Sequence, residues 1–142
     1  MAMAFAGYLI KLKGGTAQEL PMKYMAISSY KASPDQRMEA EANRATTGLL
    51  HRNTVQHTAT KIEFETPAQM TNRDVATLNA LISGHYTDAL QRKLVIEYYD
   101  NDTDTYKEGT VYCPDREYVI DRVDKSTNTI YYNSIRYAFI EY

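Results

Sequence analysis

A chain of 142 residues with net charge −2, from 16 Lys+Arg against 18 Asp+Glu, fits one folded domain and lacks the basic excess expected of a protein that lives on phosphate backbones. At 44% apolar and 24% charged it is neither disordered nor membrane-embedded in composition, and at this size a self-sufficient core is feasible. A single cysteine, Cys113, excludes an intrachain disulfide and any cysteine cluster for zinc or iron–sulfur.

The N-terminus, Met1 to Ala6, has neither a basic start nor a long apolar run and does not read as a signal peptide. No stretch approaches the ~18 consecutive apolar residues of a membrane span. Thirteen tyrosines beside three phenylalanines and no tryptophan favour strands and half-wet contact surfaces.

In chain order, the first expected strand is Tyr8 to Lys13, with Tyr8, Ile10 and Leu12 on one face and Gly14-Gly15 closing it. A weaker alternation predicts a second strand over Met22 to Tyr30. From Lys31 to Asn53 the chain has no aromatic residue, and its only large apolar residues are Met38, Leu49 and Leu50. Such a stretch cannot build a core, and long structureless connections inside compact domains tend to be functional. It is expected to be an arm projecting from the body, with a helical turn conceivable at Met38 to Ala42.

A long strand is expected from Thr54 to Glu65, where Thr58, Thr60, Ile62 and Phe64 share a face and Pro67 ends the run. Thr71 and Asp74 form a capping pair before a helix starting near Asn72. Its stripe is Val75, Leu78 and Leu81-Ile82, and Gly84 is the stop. Strands follow at Lys93 to Tyr99, Tyr106 to Cys113, Glu117 to Val123 and Thr129 to Tyr142. The expected fold is one mainly-β (α+β) domain over residues 1–142. It is a sandwich or small barrel of about seven strands, with one flanking helix and an arm at about 31–53.

Motifs that carry chemistry are scarce. Asp100-Asn101-Asp102-Thr103-Asp104 alternates acidic oxygens, but a calcium loop needs glycine at its sixth position and glutamate at its twelfth, here Thr105 and Val111. A hairpin turn explains the same residues. His51 and His57 would stand ~20 Å apart along a strand at ~3.3 Å per residue, too far for one metal ion. Those two and His85 are expected at surfaces or interfaces. Cys113 before Pro114 reads as inert packing. No nucleophile elbow, phosphate-cradling loop or zinc-protease motif occurs. No enzymatic activity, cofactor, metal or small-molecule substrate is expected. A pocket gathering His85, Cys113 and a carboxylate would reverse that expectation.

The arm holds Arg44-Ala45-Thr46-Thr47-Gly48-Leu49-Leu50-His51-Arg52-Asn53, a polar stretch with Gly and Leu between arginines, suited to ordering against a partner. Arg37 and Met38 belong to the same candidate inter-subunit arm. With Arg44, the small Thr46 and Thr47, Gly48 and Arg52, and with Phe139-Ile140-Glu141 at the C-terminus, the chain resembles small tail-associated proteins of Gram-positive prophages. Their arm pattern is Arg-x-Ala-x-Gly-x-x-x-Arg. The order of elements resembles the tail-tube fold of tube, distal-tail and baseplate-hub proteins. Where that family alternates charged and apolar residues after the arm, this chain has Thr54-Val55-Gln56-His57-Thr58-Ala59-Thr60.

The resemblance implies a structural subunit of a phage or phage-like tail, assembled in the bacterial host cytoplasm and residing in the virion. It implies a ring, six-fold in the related fold, made with copies of itself and contacting neighbouring tail proteins. DNA would pass through an inner barrel without specific binding, and Thr54, Gln56, Thr58 and Thr60 would line or flank that channel. The alternative reading is a small aromatic-faced module that binds a peptide or carbohydrate on its tyrosines.

Overall fold

A computed structural model describes residues 4–44, 48 and 50–142, without the side chains of 35, 37–44 and 50–58. The strands are β1 (Ile10–Lys13), β2 (Gln18–Glu19), β3 (Lys31–Arg44), β4 (Leu50–Glu65), β5 (Met70–Thr71), β6 (Lys93–Asp100), β7 (Thr105–Tyr112), β8 (Ile120–Asp124), β9 (Thr129–Tyr132) and β10 (Arg136–Glu141). Among the described residues the one α-helix, α1, spans Asn72–Ser83. The fold is mainly β with one helix, as the sequence predicts.

Seven strands form an antiparallel sheet in the order β2-β1-β6-β7-β10-β4-β3, and three form a second sheet in the order β5-β9-β8. Along β6, Leu94, Ile96, Tyr98 and Asp100 turn inward in strict alternation. Leu94, Ile96 and Tyr98 join Ile10 and Leu12 of β1, Ile62 and Phe64 of β4, Val111 of β7, and Tyr137 and Phe139 of β10 in one core. Helix α1 lays Val75, Leu78 and Ile82 on that core. Thr71 Oγ1 accepts the Asp74 amide at 3.2 Å, the cap that the sequence announces.

Four expectations need correction. Met22 to Tyr30 is not a strand: two 3-10 turns, Met22–Tyr24 and Ile27–Ser29, carry the chain from edge strand β2 to edge strand β3. Leu20, Tyr24 and Met25 drop into the core on the way, which local turns do as well as a ladder. The last segment is two strands, β9 and β10, in different sheets. His85 is buried: its Nδ1 lies 2.8 Å from Leu81 O and its Nε2 3.0 Å from Thr16 O, fastening the helix end to the turn after β1. The fourth correction concerns the arm.

Candidate functional site: a ribbon that leaves the body

The arm is not a structureless loop. Lys31–Arg44 and Leu50–Glu65 pair as an antiparallel hairpin from Lys31↔Glu63 to Arg44↔Leu50. No helical turn forms at Met38 to Ala42, because those residues lie in β3. The expected strand at Thr54 therefore starts four residues earlier, at Leu50.

Only the base of this hairpin belongs to the body. Strand β10 pairs with β4 over Lys61 to Glu65, through Ile140↔Lys61 and Arg136↔Glu65. Before Lys61, β4 has β3 as its one strand partner among the described residues. The free portion, from Gln36 to Arg44 and back from Leu50 to Ala59, is a two-stranded ribbon roughly 30 Å long at 3.3 Å per residue.

Several contacts fix the root. Ala26 N donates to Glu65 O at 2.8 Å, and Glu65 N donates to Ser29 Oγ at 2.9 Å. Arg136 pairs with Glu63, whose carboxyl it holds below the usual range. Where β10 runs out, Glu141 takes over from the ladder. Its Oε1 accepts the Thr60 amide at 3.2 Å, and Thr60 Oγ1 lies 3.2 Å from Tyr98 Oη. A Cβ on Gly109 would collide with Glu141 Oε2, so the bare backbone of β7 makes room for this carboxylate.

Thr60 is buried at this root, so it faces no open channel. Over Lys61–Glu65, β4 lies between β10 and β3, whereas from Leu50 to Ala59, the span that holds Thr54, Gln56 and Thr58, its one strand partner among the described residues is β3. Pro34 sits in β3, where a missing N–H is tolerated, and the β3–β4 register shifts three times beyond Ser33. Thr46, Thr47 and Leu49 lie outside the described residues, as do the side chains of Arg37, Met38, Arg44, Leu50, His51, Arg52, Thr54, Gln56 and Thr58. Gly48, between the strands, sits at φ +88°.

The other candidates disperse. Asp100 turns inward, fully buried, and binds Lys107 at 2.7 Å, the Asp102 amide and the Thr103 hydroxyl, while Asp104 accepts from Tyr99 Oη at 2.8 Å. These residues build the turn between β6 and β7. Cys113 is buried, and burial pushes its thiol up to about 11, so it is protonated at neutral pH. It lines a shallow cavity of about 380 Å³ with Leu90, Gln91, Arg92, Pro114 and Asp115; His85 is not among the lining residues.

Tyrosines lie both in the core and in a ring cluster of Tyr8, Tyr99 and Tyr106. Tyr24, Tyr98 and Tyr137 are core. Tyr8 stacks on Tyr106 at 4.5 Å, and Phe5 packs edge-on against Tyr99, so the N-terminal segment covers that end of the sheet.

A model of a family of unknown function, DUF6711, matches residues 3–142. The chain belongs to this family. No curated protein and no solved structure matches it. For this DUF6711 member, what stands out chemically is therefore backbone: a long two-stranded ribbon that no third strand joins among the described residues. Among the described residues no helix is long and apolar enough to cross a membrane.

Proposed function

We propose that this chain is a structural subunit of a bacteriophage or phage-like tail that closes with copies of itself into a ring. The ring forms or adapts part of the DNA-conducting tube or the baseplate, and acts without a cofactor, metal or small-molecule substrate. The observation that carries the reading is the ribbon. An isolated two-stranded hairpin is marginally stable at best in water, and here about 30 Å of it extends past the last strand of the body. A third strand or a covering surface from another polypeptide would complete it.

The open edge of β3 supports the same reading, since a row of unpaired backbone groups is a template for pairing with a neighbour. Pairing one ribbon with a different edge of the next copy is head-to-tail, and head-to-tail contacts give a ring where the rotation closes and a filament where it does not. The tail assignment draws on the resemblance carried by Arg44, Gly48, Arg52 and the Phe139-Ile140-Glu141 terminus. A net charge of −2 suits a conduit that DNA traverses without sticking.

The test is a shortened ribbon. Arg37 and Thr58 are register partners, so replacing residues 38–57 with Asn-Gly closes a two-residue hairpin between them. The full chain is expected to give rings in electron micrographs, and the shortened chain a folded protein that gives none. Rings formed equally by both would overturn the proposal.

A further inference from the structure

Strand β8 is the outermost strand of the three-stranded sheet, and among the described residues it pairs only with β9. Exposed strands ordinarily show polar residues to water. Here Val119, Ile120 and Val123 are 50%, 52% and 59% exposed. Apolar residues on both faces of an uncovered edge mark a contact surface.

The charges on this edge indicate which surface meets it. Among the described residues, Asp121, Arg122, Asp124 and Lys125 form no ion pair. Asp121 accepts from Gln69 Nε2, Asp124 accepts from Ser126, and the Arg122 guanidinium lies 3.8 Å over the Tyr131 ring.

Read along the strand and one residue into the turn that follows it, Asp121-Arg122-Val123-Asp124-Lys125 runs minus, plus, neutral, minus, plus. Reversed, every sign is opposed. Two antiparallel strands related by a two-fold axis place one residue opposite itself. With Val123 on the axis, Arg122 faces Asp124 and Asp121 faces Lys125, each pair twice. An axis at Asp121, Arg122 or Asp124 sets like charge on like charge. Residues 122–124 are also the straight part of the β8–β9 ladder, since the register shift lies between Ile120 and Arg122.

We propose that a second copy of this chain docks on the β8 edge, antiparallel, about a two-fold axis at Val123. This contact is separate from the ribbon and does not depend on the tail reading. One five-residue strand buries far less than the ~1,600 Å² of a standard interface, so the contact is reversible and depends on concentration and salt. In an assembly it joins subunits that the ribbon does not, and adds to the ribbon's contacts by raising effective concentration.

The test uses the full chain in sedimentation at low salt over a range of concentrations. The wild type shows a two-copy step. Asp121→Lys sets lysine against Lys125 twice and weakens that step roughly tenfold. The double change Asp121→Lys with Lys125→Asp inverts the signs while keeping them opposed, and restores it. Ribbon-dependent rings are unaffected by either variant, which separates the two contacts. The proposal is overturned by a wild type with no two-copy step, by a step insensitive to Asp121→Lys, or by a double variant as weak as the single.

Discussion

Gly14 sits at φ +119°, and a Cβ there would come within 2.6 Å of the His85 backbone oxygen. Both the conformation and the contact forbid a side chain. Gly14→Ala is expected to cost about 2–3 kcal/mol in denaturant unfolding, from backbone strain and displacement of the His85 latch. Beside Glu63, Asp100 is one residue through which acid acts. Burial alone would raise its pKa, but Lys107, the Asp102 amide and Thr103 outweigh burial and hold the carboxyl below its usual value. Its stabilisation is complete above the unfolded-state pKa of roughly 3.9 and fades as pH falls through the lower folded value. Asp100→Asn is therefore expected to lose about 1–3 kcal/mol at neutral pH, and its stability should fall less steeply than the wild type's below pH 4. Chemical denaturation across pH measures both. An unchanged acid slope in Asp100→Asn would assign the acid sensitivity elsewhere.

At the scale of elements, legibility follows burial. The β6 strand and α1 announce themselves because each sets apolar residues at its own period against the core: Leu94, Ile96 and Tyr98 by twos, Val75, Leu78 and Ile82 by threes and fours. Strand β3 gives no such signal. Most of it lies in a ribbon that extends past the body, so no core selects alternation, and Pro34 and the register shifts break what pattern there is. The place of the arm was readable from its composition, its strand character was not. Met22 to Tyr30 misleads in the opposite sense: its apolar residues serve a crossing segment rather than a ladder. The root of the ribbon went unseen because it joins residues far apart in sequence, Thr60, Tyr98, Gly109 and Glu141. Glu141→Ala should leave the Thr60 amide without its acceptor and speed its hydrogen exchange, with little change at Leu94 or Ile96. Gly109→Ala should do the same by displacing the Glu141 carboxylate. Unaltered Thr60 exchange in both variants would remove Glu141 from the root.

For the whole molecule, one core serves an ordinary small domain, and two of its outer strands are proposed to meet other polypeptides: β3 along the ribbon and β8 on the smaller sheet. Hydrogen exchange of the full chain, followed by mass spectrometry as concentration rises, tests the central claim most directly. If the ribbon is completed by another copy, amides of residues 36–59 gain protection as assemblies form, while those of β6, β7 and α1 keep theirs constant. Assemblies that form with the ribbon amides exchanging as fast as in the monomer would contradict the account.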